Sequence, residues 1–346
     1  FMIRQIRLTH FRRFSSLTLT FSCPVVILSG ANATGKTTVL EAIYLIATSK
    51  SHRTNDLSSL IEENQPIAHI EIKNEASYRI DLQKKGKISS INDQVIPKVS
   101  DFIGRLPVVL FSPEDLKLIE GMKSDRRRFM DLELSLLDKK YLRSSMLYKK
   151  ILKERNERLK QDISANDPLL KVLTDQLIEQ IRILYPKRCE WIEELNGYLK
   201  QICQELHCEE IKLVYQSSFD FKHLDQSFFE KLKSDLWLKN TGIGLHRDDF
   251  NIVLDEKDAF LFASEGQKRT IVLCLKLALK EVIEHRLNTK PILLLDDVFA
   301  ALDQKRIQHI MNYMIHQNQT LITTTSLFNI PDALLKEAQI IRFERG

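Results

Sequence analysis

The 346-residue chain has five cysteines but no C-x-x-C pair. Cys203 and Cys208 flank His207, yet no second ligand pair at zinc-site spacing accompanies them. Reduced thiols in the cytosol are expected rather than a metal centre. No apolar stretch approaches the roughly 20 residues that cross a bilayer, so a membrane role is not expected. The first residues, with Arg4 and Arg7 among alternating apolar positions, read as a strand and not a signal peptide. Internal repeats and low-complexity tracts are absent. A net charge of only +5 means that contact with nucleic acid must come from local clusters.

What is there is an ordinary globular composition, 43% hydrophobic and 28% charged, long enough for one large or two medium domains. Short strand patterns fill the first third: Ile3–Leu8, Leu17–Phe21, Ala68–Ile72, Tyr78–Leu82, Ile88–Ile91 and Leu106–Phe111. From about Leu116, apolar residues recur at helical spacing, with Pro168 and Pro186 as punctuation. After Gly242 and Gly244 the pattern returns to α/β. There a helix is expected from Gln267 to about His285, a strand over Ile292–Leu295 and a helix over 304–318. A last buried strand is expected over Thr320–Thr324. The expected organisation is an α/β nucleotide-binding head in two pieces, 1–115 and 244–346, interrupted by a mostly helical lobe over 116–243.

Gly30-Ala31-Asn32-Ala33-Thr34-Gly35-Lys36-Thr37 fits G-x-x-x-x-G-K-[ST] at every fixed position. An apolar strand, Pro24–Leu28, precedes it and a helical pattern follows, which is the context this motif requires. Glycines allow successive N–H groups to turn toward phosphate oxygens, and the helix N-terminus adds partial positive charge. Lys36 is expected to reach the β- and γ-phosphates of ATP, and the Thr37 hydroxyl to hold Mg²⁺. The loop as a whole, Gly30 to Thr38, is the expected nucleotide cradle.

The apolar strand Pro291–Leu295 ends in Asp296 and Asp297. We assign Asp296 to the metal and Asp297 to orienting the attacking water. Ser264-Glu265-Gly266-Gln267, directly before a helix, resembles the S-x-G-Q signature of ABC-type ATPases. Ala301-Leu302-Asp303 looks like their D-loop. In such proteins the signature, here Ser264, Gly266 and Gln267, faces the γ-phosphate held by the opposite subunit.

Six blocks in order make the chain resemble the RecF family of bacterial recombination-repair ATPases along nearly its whole length. They are Leu8–Phe14, Ser51–Thr54, Pro107–Leu116, Gly121 with Arg126–Asp131, Gly244–Asp249 and Leu294–Phe299. The resemblance implies an ABC-type P-loop ATPase head with a mixed sheet. It also implies weak ATP hydrolysis, an ATP-dependent homodimer and sequence-independent binding of double-stranded DNA at gap junctions. A role in DNA repair, recombination, replication and the SOS response follows from it. So do help for RecA at strands coated by single-strand-binding protein, RecR and RecO as partners, and a cytoplasmic, nucleoid-associated location. It further suggests that Arg12 approaches the base or ribose, and that His52, Arg53, His246 and Arg247 serve the nucleotide or an interface.

Departures from the pattern are specific. Glu265 adds a carboxylate to the signature, Thr323–Ser326 lacks the switch histidine, and no glutamine follows Phe111. Thr324 or Thr325 and Ser112–Asp115 are the expected substitutes. Between Lys117 and Lys160 stand 14 Lys/Arg against seven Asp/Glu, an excess larger than the charge of the whole chain. Arg126, Arg127, Lys149, Lys150 and Lys153 are the candidate contacts to DNA phosphates, although such faces are commonly only solvated. Three rivals remain. A transporter subunit would carry the histidine switch, a structural head of SMC type would need a far longer coiled coil, and a scaffold would bind nucleotide without hydrolysis.

Overall fold

The computed structural model describes residues 2–301, 307 and 318–344. Leu302 and Asp303 of the expected D-loop lie outside them, as does most of the helix expected over 304–318. In chain order come β1 (Gln5–Phe11), β2 (Phe14–Thr20), β3 (Val25–Gly30), α1 (Lys36–Thr48), β4 (Ile67–Lys73), β5 (Ser77–Gln83), β6 (Gly86–Ile91), β7 (Gln94–Val95), α2 (Val99–Phe102) and β8 (Val108–Phe111). Next are α3 (Lys117–Glu120), α4 (Lys123–Leu137), α5 (Lys139–Leu159), α6 (Pro168–Glu205), β9 (Ile211–Gln216), α7 (Leu224–Leu238), β10 (Asp249–Leu254), β11 (Lys257–Asp258) and α8 (Ala259–Phe262). Last come α9 (Glu265–Leu287), β12 (Ile292–Asp296), β13 (Thr320–Thr324), α10 (Asp332–Glu337) and β14 (Gln339–Phe343). The chain divides into two units, Phe1–Asp115 with Val272–Gly346, and Leu116–Ile271.

The first unit holds two sheets. Strands with alternating burial, such as β4 (Ala68, Ile70 and Ile72 inward), pair antiparallel in the order β2-β1-β4-β5-β6-β7. Alternation of this kind marks a sheet with one wet face. The continuous apolar runs behave differently. β3, β8 and β12 are buried along their length and pair in parallel with β13 and β14, in the order β14-β3-β13-β12-β8. A parallel strand covered on both faces needs such a run. β14 is a strand beyond the one expected to be last. Its Gln339–Phe343 pattern is half-buried and edge-like, so it lacks the apolar run that marks its neighbours. The helix α1 is sealed by Leu40, Ile43 and Ile46 against a core shared with Ile70, Ile80, Leu294 and Leu321. Truncating Leu40, which is fully buried, to alanine would cost about 2–5 kcal/mol.

The second unit is largely helical. α6 runs unbroken for 38 residues, about 57 Å, straight through Pro186. The sequence suggested a break there, because proline removes an intrahelical hydrogen bond. Buried residues on both sides, Leu184, Arg188 and Trp191, keep the helix continuous. A three-stranded sheet, β11-β10-β9, completes the unit. The Asn196 side-chain amide locks β9 to α6 by donating to the Leu213 carbonyl at 2.8 Å and accepting its N–H at 2.7 Å. Among the described residues no helix is long and apolar enough to cross a membrane.

Candidate nucleotide-binding site

The order of the parallel sheet places the C-terminal ends of β3, β13 and β12 side by side. That edge is where open α/β sheets place ligands. β3 ends in the glycine loop. Gly35 has φ 104°, and a Cβ on it would lie 2.2 Å from the Phe14 ring. Gly30 is required for another reason, since its Cβ would meet the Phe343 carbonyl of β14 at 2.3 Å. Ala33 also sits at positive φ, 63°. Thr34 ties the loop by donating to the Ala31 carbonyl at 2.9 Å, while Ala31 and Asn32 stay exposed. Lys36 is buried and donates to the carbonyls of Gly30 (2.6 Å) and Ala31 (2.7 Å). Burial pulls its pKa down, against the opposing pull of Asp297 and Asp296. Thr38 faces the core.

β12 delivers the acids. Asp296 is buried, and its Oδ1 accepts two hydroxyls, from Thr37 at 2.8 Å and Thr323 at 2.7 Å. Asp297 turns into the left-handed region, φ 53°, and donates its N–H to Thr323 Oγ1 at 3.0 Å. Its Oδ1 is buried without a hydrogen-bond partner. Burial and the neighbouring Asp296 raise its pKa. An adjacent hydroxyl and carboxylate are hard oxygen donors of the kind Mg²⁺ takes, and the orphaned Asp297 oxygen suits a water. The residues present therefore fit Mg-ATP. Thr323, which joins both acids, was not singled out from sequence, where it reads as an ordinary β-branched strand residue.

Around this edge the other candidates fall into place. Arg12 forks onto Glu41 at 2.7 and 3.0 Å and reaches the Ser59 carbonyl. Arg53 also approaches Glu41, at 3.6 Å. Burial opposes charge on Glu41, but hydrogen bonds from Arg12 and Ser51 hold its carboxyl below the ordinary range. His52 packs edge-on to Tyr44, with both ring nitrogens buried and unpartnered, and burial lowers the pKa of the ring. Asp115 closes on the Ser112 N–H and on Lys276. Thr324 donates to the Ser326 carbonyl, and Thr325 is exposed.

In the second unit, Ser264 and Gln267 cap α9 reciprocally. The Ser264 hydroxyl accepts the Gln267 N–H at 3.3 Å, and the Gln267 side chain accepts the Ser264 N–H at 2.8 Å. The signature is thus also a capping box, and Ser264 and Gly266 remain exposed. Glu265 pairs with Lys268 at 3.0 Å, so its added charge is locally offset. Arg126 grips Asp249 with two 2.8 Å bonds and is 12% exposed, while Arg127 donates to the Asp248 carbonyl. Lys149 lies 3.4 Å from Asp131 and Lys150 3.9 Å from Glu154, and both are exposed, as is Lys153. His246 is structural: its Nε2–H donates to the Thr241 carbonyl, so Nδ1 accepts the Tyr148 hydroxyl at 2.8 Å. Burial depresses its pKa to about 4.

Residues 2–330 match the RecF/RecN/SMC N terminal domain. The DNA replication and repair protein RecF of Halalkalibacterium halodurans is 38% identical across 99% of this chain and 98% of its own length. That of Acholeplasma laidlawii is 38% identical over 95% of each. The solved recombination mediator protein RecF-ATP of the RecFOR pathway superposes with a TM-score of 0.88 at 29% identity, covering 94% of this chain and 92% of that one. A glycine loop and an acidic strand end joined through Thr37 and Asp296, on a chain matched nearly end to end, lead to one conclusion: the chain belongs to the RecF family.

Proposed function

We propose that the protein is an ATP-gated, DNA-binding ATPase of recombination repair, acting in the cytoplasm at the nucleoid. Gly30–Thr38 holds the triphosphate, with Lys36 on the β- and γ-phosphates. Thr37 and Asp296 hold Mg²⁺, and Asp297 orients the attacking water. The exposed Ser264 loop, with Gly266 and Gln267, meets the γ-phosphate bound by a second copy, and Asp303 serves that contact. ATP then has differential affinity for the paired state, which a switch requires. Hydrolysis is slow and releases the pair. Lys149, Lys150 and Lys153 meet duplex phosphates near gaps, while Arg126 and Arg127 fix the lobe that carries them. RecR, with RecO, is the partner that the family points to, and starting RecA filaments is the outcome.

The observation that carries this reading is the Thr37–Asp296 hydrogen bond, which joins the two halves of a Mg-nucleotide site. Duplex binding measured with ATP, ADP and no nucleotide, alongside oligomeric state, tests it. Pairing and DNA affinity should rise together with ATP alone. Equal DNA affinity in all three states would contradict the switch.

A further inference from the structure

β13 lies between β3, which ends in the glycine loop, and β12, which ends in the acids. In register, Thr323 stands beside Asp296 on one side and Leu28 on the other. Side chains alternate along a strand, so Ile322 and Thr324 point to the opposite face. Thr323 is 2% exposed. Valine would fill the same space with no polar group to satisfy, and a buried hydroxyl is unfavourable unless it is hydrogen-bonded. Here it is used twice, and both partners are acids. It donates to Asp296 Oδ1 at 2.7 Å and accepts the Asp297 N–H at 3.0 Å. The hydroxyl of Thr324 goes instead to the Ser326 carbonyl at 2.8 Å.

The second of those bonds falls on a strained residue. Asp297 sits at φ 53°, a region that a residue other than glycine occupies only when its surroundings hold it there. Glycine would adopt the turn freely but carries no carboxylate. The turn sets the direction of the Asp297 N–H, and Thr323 receives it. From the same strand end, the Thr325 N–H stabilises the Asp297 carboxylate, while Oδ1 is left buried and unpartnered.

We infer that Thr323 is a positioning residue for hydrolysis. It fixes the Asp296 carboxylate and the turn at Asp297 together, so that the unpartnered Asp297 oxygen stays aimed at the attacking water. This rests on the ATPase reading above and adds a residue to it. Asp296 keeps the Thr37 hydroxyl as a second donor, so losing Thr323 frees the turn more than it frees Asp296. Lys36 is held by the Gly30 and Ala31 carbonyls, independently of Thr323. The signature is therefore slower turnover at unchanged ATP affinity. A hydroxyl that served stability alone would not produce that split.

Thr323→Val keeps the shape and removes the hydroxyl, and Thr323→Ser restores it. In the valine variant kcat should fall roughly 10- to 100-fold. KM for ATP, and ATP affinity in calorimetric titration, should stay within about twofold. The serine variant should recover most of the rate. In the nucleotide-free protein the Asp297 amide should exchange its hydrogen faster in the valine variant than in the parent or the serine variant. Adding Thr323→Val to Asp297→Asn should slow turnover no further, because residues that act as a unit are not additive. An Asp297 amide equally protected in parent and valine variant, a loss of ATP affinity alongside turnover, or losses that multiply with Asp297→Asn would each overturn the inference. If Thr323→Val hydrolyses ATP like the parent while Asp297→Asn does not, the inference is overturned and the proposed function stands. If the parent does not hydrolyse ATP, both are overturned.

Discussion

Thr37 donates its hydroxyl hydrogen to Asp296 Oδ1 at 2.8 Å, across 259 positions of sequence. Residues from the two ends of the chain thus meet at one edge of one sheet, and Lys36 lies beside them. Lys36→Ala should abolish ATP binding in calorimetric titration, along with ATP-dependent pairing. The melting temperature without nucleotide should stay within a few degrees. Retained ATP affinity would contradict the assignment of the loop.

Asp297 is held at φ 53° with one buried carboxylate oxygen unpartnered. A strained position of this kind is characteristic of functional sites. Asp297→Asn keeps the shape but replaces the charged carboxylate with a neutral amide, so ATP should bind as in the parent. Turnover, with and without DNA, should fall roughly 10²–10⁴-fold. Equal rates in parent and variant would defeat the catalytic role assigned to Asp297.

Asp131 accepts Arg188 at 2.7 Å and the Tyr141 hydroxyl at 2.7 Å inside the helical unit. Burial works against its charge, but Arg188 and Lys149 outweigh it and hold the carboxyl below its ordinary pKa. With the folded value below the unfolded one, the stabilisation is present above about pH 4. It is lost as pH falls through the lower, folded value. Asp131→Asn removes the carboxylate paired with buried Arg188 and should cost about 3 kcal/mol in denaturant unfolding at neutral pH. The gap between parent and variant should shrink on acidification. A gap independent of pH would contradict the ionic account.

Reversing Lys149, Lys150 and Lys153 to glutamate should weaken duplex binding for every sequence tested. The dependence of log affinity on log salt should flatten by about 0.9 per lost phosphate contact. An unchanged slope would move the duplex contact to another surface.

The glycine loop and the acidic strand end were legible because their physics is local: an apolar run, a fixed spacing and the residue types that phosphate and Mg²⁺ need. Their meeting through Thr323 was not, since nothing in Thr320–Thr324 distinguishes that residue from its neighbours until the sheet order is known. The reason for Gly30 was hidden likewise, because it depends on β14, whose half-buried pattern is weak. Helical spacing marked α5 and α6, but Pro186 read as a stop when tertiary burial carries the helix through. The strands β9 and β10 do alternate, with Ile211 and Leu213 and then Phe250, Ile252 and Leu254 inward. They sit between long charged helices, where period two is easily passed over. Arg126 and Arg127 looked like phosphate contacts from charge alone, and the fold shows both engaged with Asp248 and Asp249 at the start of β10.

Light scattering of the Asp297→Asn protein with Mg-ATP is the most direct measurement, since bound ATP then persists. A mass twice that of the protomer is expected, reverting to one protomer when Ser264→Arg is added. A single protomer saturated with ATP, or a dimer indifferent to Ser264→Arg, would contradict a nucleotide pocket completed by a second copy.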